Sequence, residues 1–261
     1  MMSLAELFSL LGGGSPLVLS LLGGSVCALF NMAGATPILL LKQVPEKMLN
    51  TCLGFSAGIM LGASFTSLIV PGTRIGGAVP VLVGIVLGAI MVTLADRLLP
   101  HMHLTIEHDG PNSSIIRGAW LFVIAITIHN MPEGLAVGVG FGSGNLEAAI
   151  LLMLAIGLQN VPEGLSVGFS LLATRNYSRR SAYLISVMSG FVEPPLALLG
   201  ALAVSIAHSI LPCAMGFAAG AMLFVISDEI IPETHRKGHK RVASYGLIAG
   251  LITILSLDLM L

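Results

Sequence analysis

The sequence predicts an all-α membrane protein in which eight transmembrane helices form an inverted-repeat bundle with both termini outside. Of its 261 residues, 55% are apolar and only 10% are charged, whereas about a quarter of the residues in soluble proteins are charged. The mean hydropathy is +0.96, and apolar stretches of about 20 residues, the length that crosses a bilayer, recur along the chain. The basic residues fall on alternate connections between these stretches, as they do in multi-pass proteins.

The predicted spans leave only short connections, so the chain (1–261) is predicted to form a single transmembrane domain. They cover residues 16–40, 50–70, 78–99, 117–141, 146–172, 182–206, 212–232 and 242–261. The 31 glycines suit closely packed membrane helices. The first 14 residues contain Glu6 and no basic residue, which does not resemble a cleavable signal peptide.

Orientation follows from the basic residues. With both termini outside, 11 of the 12 Lys and Arg residues lie on inner connections, and only Arg74 lies on an outer one. The inner residues are Lys42, Lys47, Arg97, Arg117, Arg175, Arg179, Arg180, Arg236, Lys237, Lys240 and Arg241. A count of seven or nine spans would scatter them over both sides, so the positive-inside bias favours eight.

Charge and cysteine usage exclude other classes. A net charge of −1 excludes a nucleic-acid binder that works by neutralising phosphates. Cys27, Cys52 and Cys213 are widely separated and lie in apolar runs. Neither a disulfide framework nor a thiolate zinc site is therefore indicated.

Two pairs of spans resemble each other. Span 4 contains HNMPEGLAVG (His129–Gly138) and span 5 contains QNVPEGLSVG (Gln159–Gly168), identical at seven of ten positions. GFSAGIML (Gly54–Leu61) in span 2 resembles GFAAGAML (Gly216–Leu223) in span 7. The members of each pair run in opposite directions in the predicted topology, which indicates an inverted repeat. Composition alone accounts for the second resemblance but not for two copies of NxPEG.

Three carboxylates lie near the middle of predicted spans: Glu133, Glu163 and Glu193. Each costs about 2.5–3.5 kcal/mol at the bilayer centre, and such residues mark function by default. No Lys or Arg lies at comparable depth, so we expect the three to share a bound cation. A proton relay through the same residues and a structural hydrogen-bond cluster stay open as alternatives.

Helix geometry brings further polar residues to these glutamates. His129 and Asn130 precede Glu133 by four and three positions, so all three lie on nearly the same helix face. Span 5 repeats the pattern with Gln159 and Asn160 before Glu163. If the two helices pack antiparallel, His129 and Gln159 converge on one point and Asn130 and Asn160 on another. This arrangement predicts two adjacent metal positions that share glutamates.

The ligand types restrict the ion. Imidazole, amide and carboxylate groups suit Zn²⁺ and neighbouring transition metals, whereas an all-oxygen cage would suit Mg²⁺ or Ca²⁺. One imidazole with several oxygens predicts broad divalent selectivity. The ion is expected to be the transported substrate, and no organic cofactor is indicated.

Other residues are auxiliary candidates for the metal or its pathway, each with a simpler alternative. Met60 offers a thioether but equally fits core packing. Asp228 and Glu229 are predicted on the inner side of the midplane, as a relay or as a polar helix end. The inner connection with His101, His103 and His108 either binds metal at the exit or is a solvated loop.

With Glu193-Pro-Pro added to HNMPEG and QNVPEG, the chain resembles the ZIP (Zrt/Irt-like) family of divalent metal transporters along essentially its whole length. The second motif begins with Gln159 in place of His, which is more similar to the GufA-type branch. The resemblance implies a two-metal site on the matching residues, which are His129, Asn130, Glu133, Gln159, Asn160, Glu163 and Glu193. Some members have Asp at the position of Asn160.

The resemblance also implies an activity. Members move Zn²⁺, and often Fe²⁺, Mn²⁺, Co²⁺ or Cd²⁺, into the cytoplasm, and a sliding transport domain and homodimers are proposed for them. The expected partners are therefore divalent ions, the lipid bilayer and a second copy, without nucleic acid. The compact chain suggests a prokaryotic inner-membrane protein.

Two competing classes use the same region. Gly164-Leu-Ser-Val-Gly168 spells the GxSxG of hydrolases, but that motif needs a strand-turn-helix elbow and here continues a predicted helix. A proton-conducting protein would use the same glutamates, and measured proton flux would distinguish it. The chain is not expected to be an enzyme.

Overall fold

The computed structural model describes residues 3–41, 43–98, 113–236 and 240–260, and these contain helices and no strand. Eight helices are long and apolar enough to cross a membrane. They are Pro16–Leu40, Glu46–Gly76, Ala78–Ala95, Ile116–Gly142, Leu146–Ala173, Arg179–Ile206, His208–Thr234 and Lys240–Met260, numbered here as spans 1 to 8. The predicted eight-span architecture is confirmed.

Four spans contain irregular stretches. Span 1 comprises helices Pro16–Ala35 and Pro37–Leu40, and span 6 comprises Arg179–Gly190 and Glu193–Ile206. Spans 2 and 7 each contain a π-helical segment. Span 2 comprises the α-helix Glu46–Ala63, the π segment Ser64–Ile69 and the α-helix Val70–Gly76. Span 7 comprises the 3₁₀ turn His208–Ile210, the α-helix Leu211–Val225, the π segment Ile226–Ile230 and the α-helix Ile231–Arg236. Spans 3, 4, 5 and 8 belong to the unbroken helices Ala78–Leu98, Ser113–Gly142, Leu146–Ala173 and Lys240–Met260.

A short helix, Leu4–Gly12, precedes the spans. Ser3 and Glu6 form a capping box at its start, and Gly13 in the left-handed conformation (φ 55°) ends it. Phe8 on this helix stacks on Phe141 of span 4 with ring centroids 5.9 Å apart. The helix is therefore attached to the bundle by apolar contact.

Spans 4 and 5 form the centre of the bundle. In the most apolar stretch of each span, 67% of the residues are buried in span 4 and 78% in span 5. The corresponding share is 22% in spans 3 and 8, which present most of their side chains outward. Gln159 contacts Glu133 and Ala149 contacts Gly140, so spans 4 and 5 are antiparallel. The three glutamates therefore lie in the most enclosed part of the protein.

The remaining spans pack in matching pairs: span 1 on 5, 6 on 4, 2 on 8, and 3 on 7. Glycines let the backbones touch, since a Cβ at Gly54 or Gly216 would lie 2.1 or 2.2 Å from the carbonyl oxygen of Ala243 or Val81. Gly88 in span 3 and Gly250 in span 8 make equivalent contacts. Small residues allow this close approach in membranes.

The repeat extends over both halves of the chain. Gly54 and Gly216 are 162 positions apart, as are Gly88 and Gly250, and the π segments begin at Ser64 and Ile226 with the same separation. Spans 1 and 6 run in opposite directions because each is parallel to one of the antiparallel central spans. The fold is thus an inverted repeat, and the side on which the termini lie stays a prediction.

Candidate metal centre

Three glutamates meet at the centre of the bundle without any exposure to solvent. Glu133 lies on span 4, Glu163 on span 5, and Glu193 begins the second helix of span 6. Gln159 and Asn160, about one turn before Glu163 on span 5, join it to Glu133 and Glu193 by hydrogen bonds. Within the described residues none of the three forms an ion pair with Lys or Arg. Three carboxyl groups are therefore enclosed in an apolar bundle.

Each glutamate accepts a short hydrogen bond on one carboxylate oxygen only. Gln159 Nε2 donates to Glu133 Oε1 at 2.5 Å, and Asn160 Nδ2 donates to Glu193 Oε1 at 2.7 Å. The Ser56 hydroxyl of span 2 donates to Glu163 Oε1 at 2.5 Å. The amides of the second motif are thus orienting groups for the carboxylates.

The other oxygen of each glutamate has no hydrogen-bond partner among the described residues. The side-chain amide oxygens of three nearby residues also lack a partner there. The six unpartnered oxygens are Oε2 of Glu133, Glu163 and Glu193, Oδ1 of Asn130 and Asn160, and Oε1 of Gln159. Leaving one buried polar group unpaired costs about 1–3 kcal/mol, more if it is charged. Six of them would offset much of the net stability of a typical protein, about 5–15 kcal/mol. Six acceptors around one region favour a cation.

His129 is directed toward span 7. Its Nε2 lies 2.7 Å from Glu229 Oε2, which belongs to the π segment of that span. Glu229 is 20% exposed, whereas His129 is 3% exposed. The contact therefore links the buried centre to the edge of a cavity.

That cavity, of about 1470 Å³, extends from His129 to the connection between spans 1 and 2, at Gln43 and Pro45. Of the described residues that line it, Glu46, Asp228, Glu229 and Glu233 are acidic and Arg175 is basic. An acidic cleft with apolar walls raises the local concentration of cations.

The two asparagines face the opposite side of the central pair, toward spans 1 and 6. Asn130 Nδ2 donates to Ser189 O at 2.9 Å, and Asn160 Nδ2 donates to Cys27 O at 3.2 Å. Cys27 and Ser189 are 162 positions apart, so the two bonds are equivalent in the repeat. The structure therefore brings Asn130 and Asn160 to one side, while Gln159 and His129 contact Glu133 and Glu229.

We call the seven predicted residues the central cluster: His129, Asn130, Glu133, Gln159, Asn160, Glu163 and Glu193. In the part of the chain that the structure describes, no three His, Cys, Asp or Glu side chains surround a common point closely enough to hold a metal ion. Amide oxygens or a shift of side chains must therefore complete any ligand set.

The auxiliary candidates have different environments. Met60 is buried (1% exposed) in the apolar core, with its repeat counterpart Met222. Asp228 is exposed in the cavity. His101, His103 and His108 lie outside the described residues.

The hydrolase motif is not built as a nucleophile elbow. Span 5 is one continuous helix through Gly164–Gly168, and the Ser166 hydroxyl donates to Pro162 O in the preceding turn. A strained strand-to-helix turn is needed to expose such a serine.

Three residues that contact the central cluster were not predicted: Ser56, Cys27 and Ser189. Ser56 matches Ala218 in the repeat between spans 2 and 7, so a polar residue at one of two equivalent positions was an available signal. Cys27 had no such signal, because a single cysteine in an apolar run resembles core packing.

Comparisons with known proteins give one consistent result. A family model described as "ZIP Zinc transporter" matches residues 101–258. The chain is similar to "Zinc transporter GufA" of Myxococcus xanthus, with 39% identity over 95% of this chain and 99% of that protein. It is also similar to "Zinc transporter ZIPB" of Bordetella bronchiseptica (41%; 92% and 80%) and to "Zinc transporter ZIP11" of Homo sapiens (34%; 95% and 99%).

Proposed function

Because this chain belongs to the ZIP zinc transporter family, we propose that it carries Zn²⁺ and related divalent ions into the cytoplasm through the central cluster. The chain is a multi-pass membrane protein, and we place it in a prokaryotic inner membrane. Fe²⁺, Mn²⁺, Co²⁺ and Cd²⁺ are proposed as further substrates, since the ligands are permissive oxygen and imidazole donors. Association as a homodimer stays a prediction.

One observation carries the proposal: six buried oxygens of the central cluster have no partner within the described residues. Neutral side chains cannot balance three carboxylates, whereas a divalent ion neutralises two charges and accepts several oxygens at once. The uncompensated cost of a buried charge is several kcal/mol. The cluster is therefore better suited to a cation than to a permanent hydrogen-bond network.

The proposed ion occupies two positions in succession. Glu133, Gln159, Glu163 and His129 serve the first, on the side of spans 2 and 7. Asn130, Asn160 and Glu193 serve the second, on the side of spans 1 and 6, with Glu133 and Glu163 shared. To bind the first ion through Nε2, His129 would leave Glu229, because one imidazole nitrogen cannot serve both partners at 2.7 Å. Its Nδ1 is buried without a partner in the described structure and is the other nitrogen that could bind an ion.

The acidic cavity supports release toward the cytoplasm. It ends at the connection between spans 1 and 2, where the positive-inside bias predicts the inner side. Asp228 and Glu229 are the first carboxylates that an ion leaving His129 would meet. Inward movement therefore follows a path of increasing exposure to water.

Transport and binding by the purified chain test the proposal. Proteoliposomes would be offered Zn²⁺, Mn²⁺, Co²⁺ and Cd²⁺ with and without a pH gradient, and equilibrium binding would be measured in detergent. We expect saturable uptake that is lost in Glu163→Gln. Glu147→Gln is the matched control, because that carboxylate lies exposed at the start of the same helix. Proton flux without metal uptake would overturn the proposal in favour of a proton conductor.

A further inference from the structure

Asn31 of span 1 is a buried amide beside the central cluster, and the proposed site does not yet use it. The residue has no exposure to solvent, and its Oδ1 has no hydrogen-bond partner among the described residues. Its Nδ2 donates to Ser186 O of span 6 at 2.9 Å, which fixes the end of the amide that carries the oxygen. A buried acceptor without a partner costs about 1–3 kcal/mol. The oxygen therefore lacks the partner that its burial requires.

The inverted repeat makes Asn31 the counterpart of Glu193. The two residues are 162 positions apart. Their backbones make equivalent contacts, because a Cβ at Gly164 would collide with Asn31 O just as a Cβ at Gly134 would collide with Glu193 O. Each of these glycines directly follows the glutamate of its motif. The two halves thus present an amide and a carboxylate at the same place in the repeated unit.

Asn31 lies one turn along span 1 from the contact that holds Asn160. Asn160 donates to the carbonyl of Cys27. Spans 1 and 5 are parallel, so the next contact, four residues on in both helices, joins Gly164 to Asn31. A Cβ at Gly164 would lie 2.7 Å from Asn31 Oδ1. The absence of a side chain at Gly164 therefore leaves room for the amide oxygen on the face of span 5 that carries Asn160.

Asn31 also adjoins Asn130, through span 6. Ser186 O accepts from Asn31 Nδ2 and from the Ser189 hydroxyl, at 2.9 and 2.7 Å. The carbonyl of Ser189 in turn accepts from Asn130. A Cβ at Gly190 would lie 2.6 Å from Asn31 Nδ2, so span 6 also makes room for the amide. Because the Ser189 hydroxyl already satisfies Ser186 O, that oxygen does not by itself require an amide on span 1.

We propose that Asn31 Oδ1 is a further ligand of the second metal position, opposite Glu193. The inference rests on the proposed function and deepens it. Spans 1 and 6 run in opposite directions, so Asn31 and Glu193 approach the asparagine pair from opposite ends. In the predicted orientation Asn31 lies at the inner end. The second position thus has a carboxylate at its outer end and a neutral oxygen at its inner end.

An amide oxygen gives this position a defined selectivity. Amide and carboxylate oxygens are hard donors that suit Mn²⁺ and similar ions, whereas soft ions such as Cd²⁺ gain less from them. The amide also adds a donor without adding a fourth carboxylate, which keeps the ion weakly enough bound to leave. Asn31 should therefore contribute more to the binding of Mn²⁺ than to that of Cd²⁺.

A thiol introduced at position 31 tests whether this side chain reaches a bound ion. The native cysteines are first removed by Cys27→Ser, Cys52→Ser and Cys213→Ser. In that background we expect Asn31→Cys, loaded with Cd²⁺ or Co²⁺, to show ultraviolet thiolate-to-metal charge-transfer absorption. Ser20→Cys, at a buried position about three turns earlier in the same helix, is the matched control and should show none. Metal bound to the Asn31→Cys variant without this absorption overturns the inference.

A second measurement needs no new thiol. Asn31→Leu keeps the size of the side chain and removes both polar atoms, and Ser186 O keeps the Ser189 hydroxyl, so we expect the variant to fold. Its affinity for Mn²⁺ should fall about tenfold and that for Cd²⁺ by less than about threefold, because a hard ligand is lost. If this variant does not fold, Asn31→Ala takes its place with the same expectation.

Three results would count against these ideas in different ways. An unchanged Mn²⁺ affinity in the folded variant overturns the inference and leaves Asn31 as a tie between spans 1 and 6. An equal loss of affinity for both ions also overturns it. Failure of the wild type to bind any divalent ion would instead overturn the proposed function.

Discussion

His129 Nε2 of span 4 lies 2.7 Å from Glu229 Oε2 of span 7, so the first residue of the HNMPEG motif contacts the π segment at the head of the acidic cavity. The contact joins the region that would hold an ion to the region that would release it. Because Nε2 cannot bind Glu229 and a metal at the same time, the two partners compete for this nitrogen.

Replacing Glu229 tests this competition. In Glu229→Gln the imidazole loses its charged partner and is free for the ion, so we expect tighter binding and a maximal uptake rate lower by about tenfold. Binding isotherms and initial uptake rates measure both. Asp228→Asn, in the neighbouring exposed residue, is the control for general loss of cavity charge. Unchanged binding and uptake in Glu229→Gln would show that the contact has no part in release.

The shared glutamates are tested by truncation. Glu133→Ala and Glu163→Ala each leave an ion under-neutralised in a low-dielectric site, and we expect uptake to fall by at least about 100-fold. Membrane insertion is checked by extraction and gel filtration of each variant. Transport at the wild-type rate by either variant would contradict a site in which both carboxylates hold one ion.

Metal affinity should depend on pH. Carboxylates and imidazole bind metal in their deprotonated forms, so protons compete with the ion. Metal affinity should therefore be weaker in acid. Where the competing groups are protonated, the affinity should fall by about tenfold per pH unit for each proton that the metal displaces. Titration calorimetry between about pH 7.5 and pH 5.5 measures the change. A dissociation constant that stays flat over this interval would contradict metal binding by these groups.

Asn160→Asp tests the second position. The added charge favours a second ion and slows its departure, so we expect metal occupancy to rise toward two per chain and maximal uptake to fall. The variant also loses the amide that donates to Glu193 and to the Cys27 carbonyl. The new carboxylate then lies beside the carboxylate of Glu193. Its thermal stability should therefore drop in chelator and recover with Zn²⁺.

His129→Ala should weaken binding of an ion at the first position and leave an ion bound at the second. Unchanged occupancy and uptake in Asn160→Asp would show that the repeat misplaces the second position.

The glycine contacts between paired spans predict a stability difference. A Cβ at Gly220 would lie 2.2 Å from Ile85 O, whereas a Cβ at Gly118 would meet nothing within 4 Å. Gly220→Ala should therefore separate spans 3 and 7 and lower the melting temperature. Gly118→Ala should be neutral or slightly stabilising, because alanine favours helix by about 1 kcal/mol. Equal melting temperatures for the two variants would contradict backbone contact at Gly220.

The fold could be predicted because its signals are local. Apolar runs mark the spans, and the duplicated NxPEG motif marks the repeat, without knowledge of any contact. The boundaries were less accurate: span 2 covers Glu46–Gly76 where 50–70 was predicted. Span 6 breaks at Phe191–Val192, because Pro194 and Pro195 lack N–H groups and fit only the first turn of a new helix.

The site was predictable only where its residues are conspicuous. Glu133, Glu163 and Glu193 stand out because carboxylates are rare in apolar spans. Ser56 and Cys27 are small residues that fit any membrane helix, and they gain meaning only from spans 5 and 6 packed against them. Glu229 was assigned to the inner pathway, yet its contact with His129 depends on the π segment, which no local pattern indicated.

The π segments are part of the inverted repeat. A π turn is an α-helix widened by one extra residue, and here it begins at equivalent positions, Ser64 and Ile226, in two halves whose other equivalent residues keep a separation of 162. Because the widening falls at the same register in both halves, it belongs to the repeated unit and is not an irregularity of one span. The widened turn carries hydroxyls, Thr66 and Ser67, in one copy and carboxylates, Asp228 and Glu229, in the other.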